Sequence, residues 1–254
     1  MATLNNKKGK EEDIEAYLYA SDKARLVSMV TEMADRAGMA LSRSVEALQT
    51  MDVKLAQNVI DDDDFIDEME EQIDQECLYS IAMRQPMRED LRFVYAVMKI
   101  STDLERIGDQ AVNISLRLKK LASARANIRC PMLDKINEMA REDGTMLSEV
   151  MQAFLKNDES VIFSTRTRRK TVHKARDEAV DAVLRDNKPV SAADITTGEL
   201  FLALWILRHL SRISDHVLNL AEKVVFIATG VSPLTLKKKN QQANSDARLK
   251  SLGV

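Results

Sequence analysis

Five carboxylates lie on two segments of the chain at spacings that would let them share a metal ion. Asp67, Glu70 and Asp74 are three and four residues apart, so they share one face of a helix. Glu105 and Asp109 are four residues apart on a later, largely apolar helix. Like charges at this spacing repel each other, and a carboxylate against an apolar face is costly without a positive partner. A hard cation such as Mg, Ca, Mn or iron would supply that charge through oxygen ligands.

A solvated acidic face is the usual fate of a charge run, and this alternative stays open for these residues. Residues 61–64 are all Asp, and we expect them to be solvated or to cap a helix, because acids favour helix N-termini. Arg106 or Arg84 could supply positive charge in place of a metal. Gly108 weakens its helix by about 1 kcal/mol relative to Ala, which favours a close helix contact or open access to the carboxylates.

The chain repeats itself at a constant offset of 106 residues. Five recurring positions and one recurring run carry the repeat: Gly38, Leu41, Ser42, Ala47 and Asp52 return as Gly144, Leu147, Ser148, Ala153 and Asp158, and Arg106–Asp109 returns as Arg212–Asp215. A repeat of this length predicts two copies of one structural unit packed together.

The two copies differ most in charge. Residues 61–76 contain ten acidic and no basic residues, whereas the equivalent residues 167–182 contain five basic and three acidic residues. The positions equivalent to the five candidate ligands hold His173, Arg176, Val180, Ser211 and Asp215. Because only Asp215 keeps a carboxylate, we expect the second half not to bind metal as the first does, with Asp215 and His173 as a weak second site at most.

Two further sets of polar residues distinguish the second half. Arg168, Arg169 and Lys170 belong to a basic run that is either a solvated face or a contact for an acidic partner. His209 and His216 are seven residues apart on one helix face and could form a nitrogen site suited to zinc. Solvated or packing histidines are the alternative, since that face is turned by roughly 100° from Asp215.

Hydrophobic periodicity predicts long helices and no strand. The fold class is therefore all-α, with two tandem three-helix bundles of long antiparallel helices related by an internal pseudo-twofold repeat. Six helices are predicted, over residues 22–58, 63–82, 88–121, 133–156, 159–185 and 193–229. The domains are a mobile N-terminal lead (1–20), a first bundle (20–125), a second bundle (126–231) and a disordered tail (232–254).

Composition excludes several classes of protein. The net charge of −3 gives no basic field, so nucleic-acid binding is not favoured. Apolar stretches are too short to span a bilayer, and the polar start of the chain lacks a signal-peptide core. Cys77 and Cys130 form no CxxC pattern, which favours a reduced, cytoplasmic compartment; Cys77 is expected in the core.

Several motifs together resemble the signature of the phosphate-uptake regulator family PhoU. They are Asp103-Leu-Glu-Arg-Ile-Gly-Asp109 followed by Asn113, the acids Asp67, Glu70 and Asp74, and Arg84-Gln85-Pro86 followed by Asp90-Leu91-Arg92. The resemblance covers about residues 20–230. It implies tandem three-helix bundles with E(D)xxxD carboxylates that bind metal ions, as iron or zinc clusters in some members and magnesium or manganese in others. Asp67, Glu70, Asp74, Glu105 and Asp109 match that pattern.

The resemblance also implies a function without catalysis. PhoU-like proteins are cytoplasmic negative regulators of phosphate uptake that link the ATPase of a phosphate ABC transporter to a sensor histidine kinase. We accordingly expect a regulatory adaptor that forms a homodimer or higher homo-oligomer, is peripheral to the membrane at most, and does not bind nucleic acid.

Two alternatives belong to other functional classes. A carboxylate-bridged di-metal oxidoreductase in a helical bundle would need Glu-x-x-His pairs. Lys170, Ile206 and Ile213 stand three residues before the three histidines, so these pairs are absent from the sequence. A metal-free helical scaffold is the other alternative.

Overall fold

The computed structural model describes residues 2–124, 132–185, 197–231 and 235. Within these ranges the chain forms seven helices and no strand, which confirms the all-α prediction. The helices are α1 (Ala2–Thr50), α2 (Val53–Asp61), α3 (Asp63–Arg84), α4 (Glu89–Ala124), α5 (Leu133–Lys156), α6 (Val161–Arg185) and α7 (Thr197–Thr229). None of them is long and apolar enough to cross a membrane. Apart from Thr235, the tail predicted to be disordered lies outside the described residues.

The predicted first helix is wrong at both ends. It begins at Ala2 rather than near Asp22, because the opening residues are rich in Lys, Glu and Ala, which are strong helix formers. It ends at Thr50, since Met51 adopts a left-handed conformation with φ of 55°. A separate helix, α2, follows the break, while the mobility of residues 1–20 stays a prediction.

The turn that breaks the first predicted helix is built identically in both halves. The amide of Asp52 donates to the carbonyl of Ala47 at 2.9 Å, and the amide of Asp158 donates to that of Ala153 at 2.9 Å. Each Asp side chain then caps the next helical segment: Asp52 accepts from the amide of Lys54 at 2.8 Å, and Asp158 from that of Ser160 at 2.9 Å. A helix stop and a cap thus explain the recurrence of these Ala and Asp residues.

The helices α1 to α4 form one bundle and α5 to α7 form the other, and the bundles meet along two seams. One seam joins α1 to α5, where the recurring small residues Gly38, Ser42, Gly144 and Ser148 line a shared groove. A Cβ atom on Gly38 would lie 3.6 Å from Cδ2 of Leu147, in ordinary van der Waals contact. A Cβ atom on Gly144 would meet no atom within 4 Å, so these small side chains leave a groove open between the two helices.

The other seam joins α4 to α7 and displays the internal symmetry directly. Nδ1 of His216 lies 2.9 Å from Oδ1 of Asp103, and Nδ1 of His209 lies 2.9 Å from Oε1 of Gln110. At the 106-residue offset, Asp103 is equivalent to His209, and Gln110 to His216. The pseudo-twofold therefore exchanges the two hydrogen bonds, as in an isologous interface. Both histidine rings are directed into this contact, as the packing alternative predicts.

Asp143 is a carboxylate enclosed in the core of the second bundle. It is 0% exposed, and neither of its oxygens has a hydrogen-bond partner. Burial raises the pKa of Asp143 well above its usual range, and the nearby charges of Asp215 and Glu142 raise it further. The equivalent residue of the first half is Ala37, which is also fully buried. The second half therefore carries a buried acid that the fold does not need.

Replacing Asp143 by Ala should stabilise the protein at pH 8 by about 1–3 kcal/mol, the usual penalty for an unsatisfied buried polar group. Because the pKa is raised on folding, the folded state binds the proton more tightly, and stability falls as pH rises from the unfolded pKa toward the folded one. The gain should therefore shrink toward pH 4. Urea denaturation at both pH values measures it.

Glu142→Ala is the matched control for this variant. Glu142 accepts a hydrogen bond from Arg168 at 2.9 Å, so its removal should not stabilise the protein. An Asp143→Ala protein that is less stable than the wild type at pH 8 would contradict the prediction.

Candidate metal centre

The helix α3 turns its apolar stripe toward α4 and thereby sets its acids along the margin of the contact. Ile66, Ile73 and Cys77 are buried. Sγ of Cys77 lies 3.8 Å from the carbonyl oxygen of Val94, and burial raises the pKa of the thiol to about 12. Cys77 is therefore a core residue, as predicted.

Gly108 is the point of closest approach between α3 and α4. A Cβ atom there would lie 3.0 Å from Cδ1 of Ile66 and 3.1 Å from Oδ1 of Asp63. The missing side chain lets the start of α3 lie directly on α4, so the close-contact explanation of this glycine is confirmed. It also brings Asp63 beside Asp109.

Five acids near this contact influence one another, and we call them the acidic cluster: Asp63, Asp67, Glu70, Glu105 and Asp109. Burial raises the pKa of Asp63 to about 6, and the charges of Asp67 and Asp109 add to it. Burial also raises the pKa of Glu105 to about 7; Asp109 adds to this shift and Arg106 opposes it. The shifts record carboxylates that are partly buried and lie close to one another.

Asp74, the fifth predicted ligand, lies one turn beyond Glu70 on α3. Burial raises its pKa, whereas the nearby Lys99 and the hydroxyl of Ser101 lower it. Its Oδ1 atom is buried without a hydrogen-bond partner. The structure thus brings four of the five predicted residues into the acidic cluster and places Asp74 at its edge.

Arg106 supplies the cluster's nearest positive charge. Its Nη1 donates to Oδ2 of Asp109 at 2.8 Å, and its Nε lies 3.1 Å from Oε2 of Glu105. The Nε contact is an ion pair by distance but lacks hydrogen-bond geometry, so this buried oxygen of Glu105 has no hydrogen-bond partner. Arg84, the other candidate, pairs instead with Asp22 at 2.8 Å.

The donor set of the acidic cluster fits a hard cation. All of its side-chain donors are carboxylate oxygens, and one of them is buried and unsatisfied. In the present conformation, no three His, Cys, Asp or Glu side chains in the described part of the chain converge closely enough to hold an ion. An ion could be held here only after these side chains moved from the present arrangement.

At the equivalent place in the second half, basic side chains of α6 contact the polar side chains of α7. Nε of Arg169 donates to Oδ1 of Asp215 at 2.6 Å, and Nε2 of His173 lies 3.1 Å from the same oxygen. Nη1 of Arg176 donates to the hydroxyl of Ser211 at 3.1 Å. Asp215, the one retained carboxylate, is thus already neutralised.

The rest of the basic run is only partly a solvated face. Arg168 donates to Glu142 and Glu149 on α5, each at 2.9 Å. The pair Arg168–Glu149 is equivalent to Asp62–Arg43, which are 3.2 Å apart, so the same contact occurs in both halves with its charges exchanged. Lys170 is exposed, and partner binding by Arg168, Arg169 and Lys170 stays a prediction.

Sequence reasoning missed Asp63, which we had assigned to solvation or capping. The repeat contained the signal: Asp63 is equivalent to Arg169, just as Asp109 is equivalent to Asp215. A basic residue that replaces an acid opposite a retained Asp indicates that the two positions touch.

Glu105→Gln should stabilise the metal-free protein at pH 8 and have little effect at pH 4. The folded-state pKa of Glu105 is raised, so the wild type loses stability as pH rises from the unfolded value, about 4.3, toward about 7. An amide carries no charge and removes that loss. Urea denaturation in the presence of a chelator measures both points. Glu68→Gln, a change at an exposed acid of α3, is the control; an equal effect of both variants would contradict the prediction.

The PhoU domain family model matches residues 30–118 and 136–224, two segments at the same 106-residue offset. Curated relatives are named phosphate-specific transport system accessory protein PhoU homologues. The one from Pseudomonas aeruginosa is 33% identical over 191 residues, 74% of this chain and 75% of the relative. The Rhizobium meliloti protein is 30% identical over 232 residues, 87% of this chain and 91% of the relative.

Solved structures show the same fold. The crystal structure of PhoU from Pseudomonas aeruginosa superposes with a TM-score of 0.73 at 29% identity, covering 84% of this chain and all of that one. The phosphate transport system regulatory protein PhoU from Streptococcus pneumoniae has the same TM-score at 22% identity, covering 84% of this chain and 98% of that one, a likeness of fold alone. Two matched domains and the shared tandem architecture place the chain in the PhoU family.

Proposed function

We propose that this protein is a cytoplasmic, metal-binding regulatory adaptor that restrains phosphate uptake. Its relatives are named as accessory proteins of phosphate-specific transport, which supports a regulatory rather than an enzymatic role. The observation that carries the metal-binding part is the acidic cluster, where Glu105 keeps a buried oxygen without a hydrogen-bond partner.

The metal would be held by carboxylates from two helices. Asp67, Glu70 and Asp74 on α3 and Glu105 and Asp109 on α4 are the proposed ligands, and the position of Asp63 above Gly108 adds a sixth acid. Oxygen donors favour magnesium, manganese or iron, and a zinc cluster is the alternative from the family resemblance. When bound, the ion would supply the positive charge that Arg106 provides in part without it.

The proposed partners are the ATPase of a phosphate ABC transporter and a sensor histidine kinase. The transporter is favoured by the names of the relatives, whereas the kinase rests on the family resemblance. A homodimer or higher homo-oligomer is proposed on the same ground. A protein of this kind transmits a state of the transporter to a signalling partner through its surface and needs no reaction centre of its own.

Protein purified without an affinity tag should contain metal, as measured by plasma mass spectrometry. Replacing Glu70, Asp74, Glu105 and Asp109 together by Ala should remove it, because too few oxygen donors remain. Asp215→Asn is the matched control, and it should leave the metal content unchanged, since Arg169 and His173 already occupy that carboxylate. A folded wild-type protein without metal, or a large loss in Asp215→Asn, would overturn the proposed site.

Deleting the gene should raise phosphate uptake and the expression of phosphate-starvation genes in phosphate-rich medium. The wild-type gene should restore repression, whereas the fourfold Ala variant should not if the metal site is needed for regulation. Radiolabelled phosphate uptake and a transcriptional reporter measure the two effects, with immunoblotting to show equal protein levels. Unchanged uptake and expression in the deletion strain would contradict the regulatory proposal.

A further inference from the structure

Three equivalent positions meet at the same place in each half of the molecule. In the first half they hold Asp63 and Asp67 on α3 and Asp109 on α4, and burial together with the charge of Asp109 raises the pKa of both α3 acids. In the second half the same positions hold Arg169, His173 and Asp215. The geometry of the fold is kept, while two of the three charges are replaced by basic side chains.

In the second half the basic side chains contact the retained carboxylate directly. Oδ1 of Asp215 lies 2.6 Å from Nε of Arg169 and 3.1 Å from Nε2 of His173. All three side chains are partly buried, with exposed fractions of 42%, 33% and 21%. Guanidinium and imidazole nitrogens thus contact the same carboxylate oxygen.

Side chains at the α3–α4 and α6–α7 contacts differ in size in a compensating way. Ile66 lies over Gly108 in the first half, whereas the equivalent positions hold the smaller Val172 and the larger Ser214, both buried. A methylene group lost on α6 is therefore offset by a hydroxymethyl group gained on α7.

We infer that Arg169, with His173, is a built-in cation that determines where metal acts in this protein. It confines metal binding to the first half and fastens α6 to α7 permanently. This inference rests on the proposed metal site, and it adds that metal controls the packing of α3 on α4 and leaves α6 on α7 unaffected. Arg106 does not fasten α3 in this way, because its ion pairs in the described part of the chain are with Glu105 and Asp109 of its own helix.

The consequence is that the two outer helices respond differently to metal. Without metal, Asp63 and Asp67 on α3 face Asp109 on α4 with like charges, so α3 opens more readily. With metal, the positive charge of the ion links the carboxylates of α3 and α4, and the backbone amides of α3 become protected from hydrogen exchange. The amides of α6 are equally protected with and without metal, because Arg169 is part of α6 and its contact with Asp215 does not depend on an ion.

Hydrogen–deuterium exchange of the full chain, with and without its metal, tests the inference. In the wild type, we expect metal to slow exchange in α3 by about tenfold or more and to leave α6 unchanged. In R169D/H173D, which places acids at the two positions equivalent to Asp63 and Asp67, we expect additional bound metal by plasma mass spectrometry and exchange in α6 that now depends on metal.

The reciprocal variant D63R/D67H gives the first half the basic residues of the second. It should lose metal and yet show slow α3 exchange without it. The matched control D63N/D67N removes the same two charges without adding a cation. Its α3 exchange should fall between that of the metal-free wild type and that of D63R/D67H.

The outcomes separate this inference from the proposed function. Wild-type protein without metal would refute the proposed site, and the order of α3 exchange among the metal-free wild type, D63N/D67N and D63R/D67H would still decide the role of the basic residues. Wild-type protein that binds metal but shows equal α3 exchange in both states would overturn the inference. So would α3 exchange in D63R/D67H no slower than in D63N/D67N, a result that stands even if R169D/H173D does not fold.

Discussion

The antiparallel packing of α4 against α7 is the contact on which the rest of the molecule depends. Each helix is buried on this side, with Ile107 and Ile213 fully enclosed, and the contact is closed by two hydrogen bonds that the internal twofold exchanges. The remaining faces pack against α1, α2 and α3 in the first half and against α5 and α6 in the second. The acids of α4 and the Asp of α7 therefore stand at equivalent helix–helix contacts.

A carboxylate at such a contact needs positive charge nearby, because partial burial disfavours its ionised form. The two halves meet this requirement differently. Asp215 receives an arginine and a histidine from the neighbouring helix, whereas Asp109 receives further acids from its neighbour and only Arg106 from its own helix. The retained Asp of the second half is therefore paired across the helix contact, whereas that of the first half is paired only within its own helix. Duplication preserved the fold while the charges at this contact changed.

Exchanged charges are also compatible with the fold where no metal is involved. Arg43 of α1 pairs with Asp62 in the first half. At the equivalent positions of the second half, Glu149 pairs with Arg168, so the two charges are exchanged. Attraction does not depend on which partner carries which sign, so such a pair can invert without loss of geometry. The acids around Asp109 differ from such an ion pair. Replacing one of them by a basic residue changes the net charge at the contact between α3 and α4.

Much of this architecture could be predicted from the residues alone. Periodicity identified long helices, the constant offset identified two equivalent units, and the glycine at position 108 indicated a close approach that the structure confirms. These properties depend on neighbouring residues or on a repeat, so they can be recognised in the sequence without the tertiary structure. Four of the five predicted residues lie in the acidic cluster for the same reason, since spacing on a helix fixes which side chains share a face; their binding of metal stays a prediction.

The tertiary structure decided which residues touch across helices. Sequence did not reveal the break at Met51, whose left-handed conformation occurs without glycine or proline, and it did not separate Asp63, which joins the cluster, from Asp74 at its edge. Nor did it show that Asp143 is enclosed without a partner. The sequence by itself determined helix type, repeat and facing side chains, because these follow from backbone periodicity. Contacts between helices depend on their rotation and distance, which only the packing of the whole bundle sets.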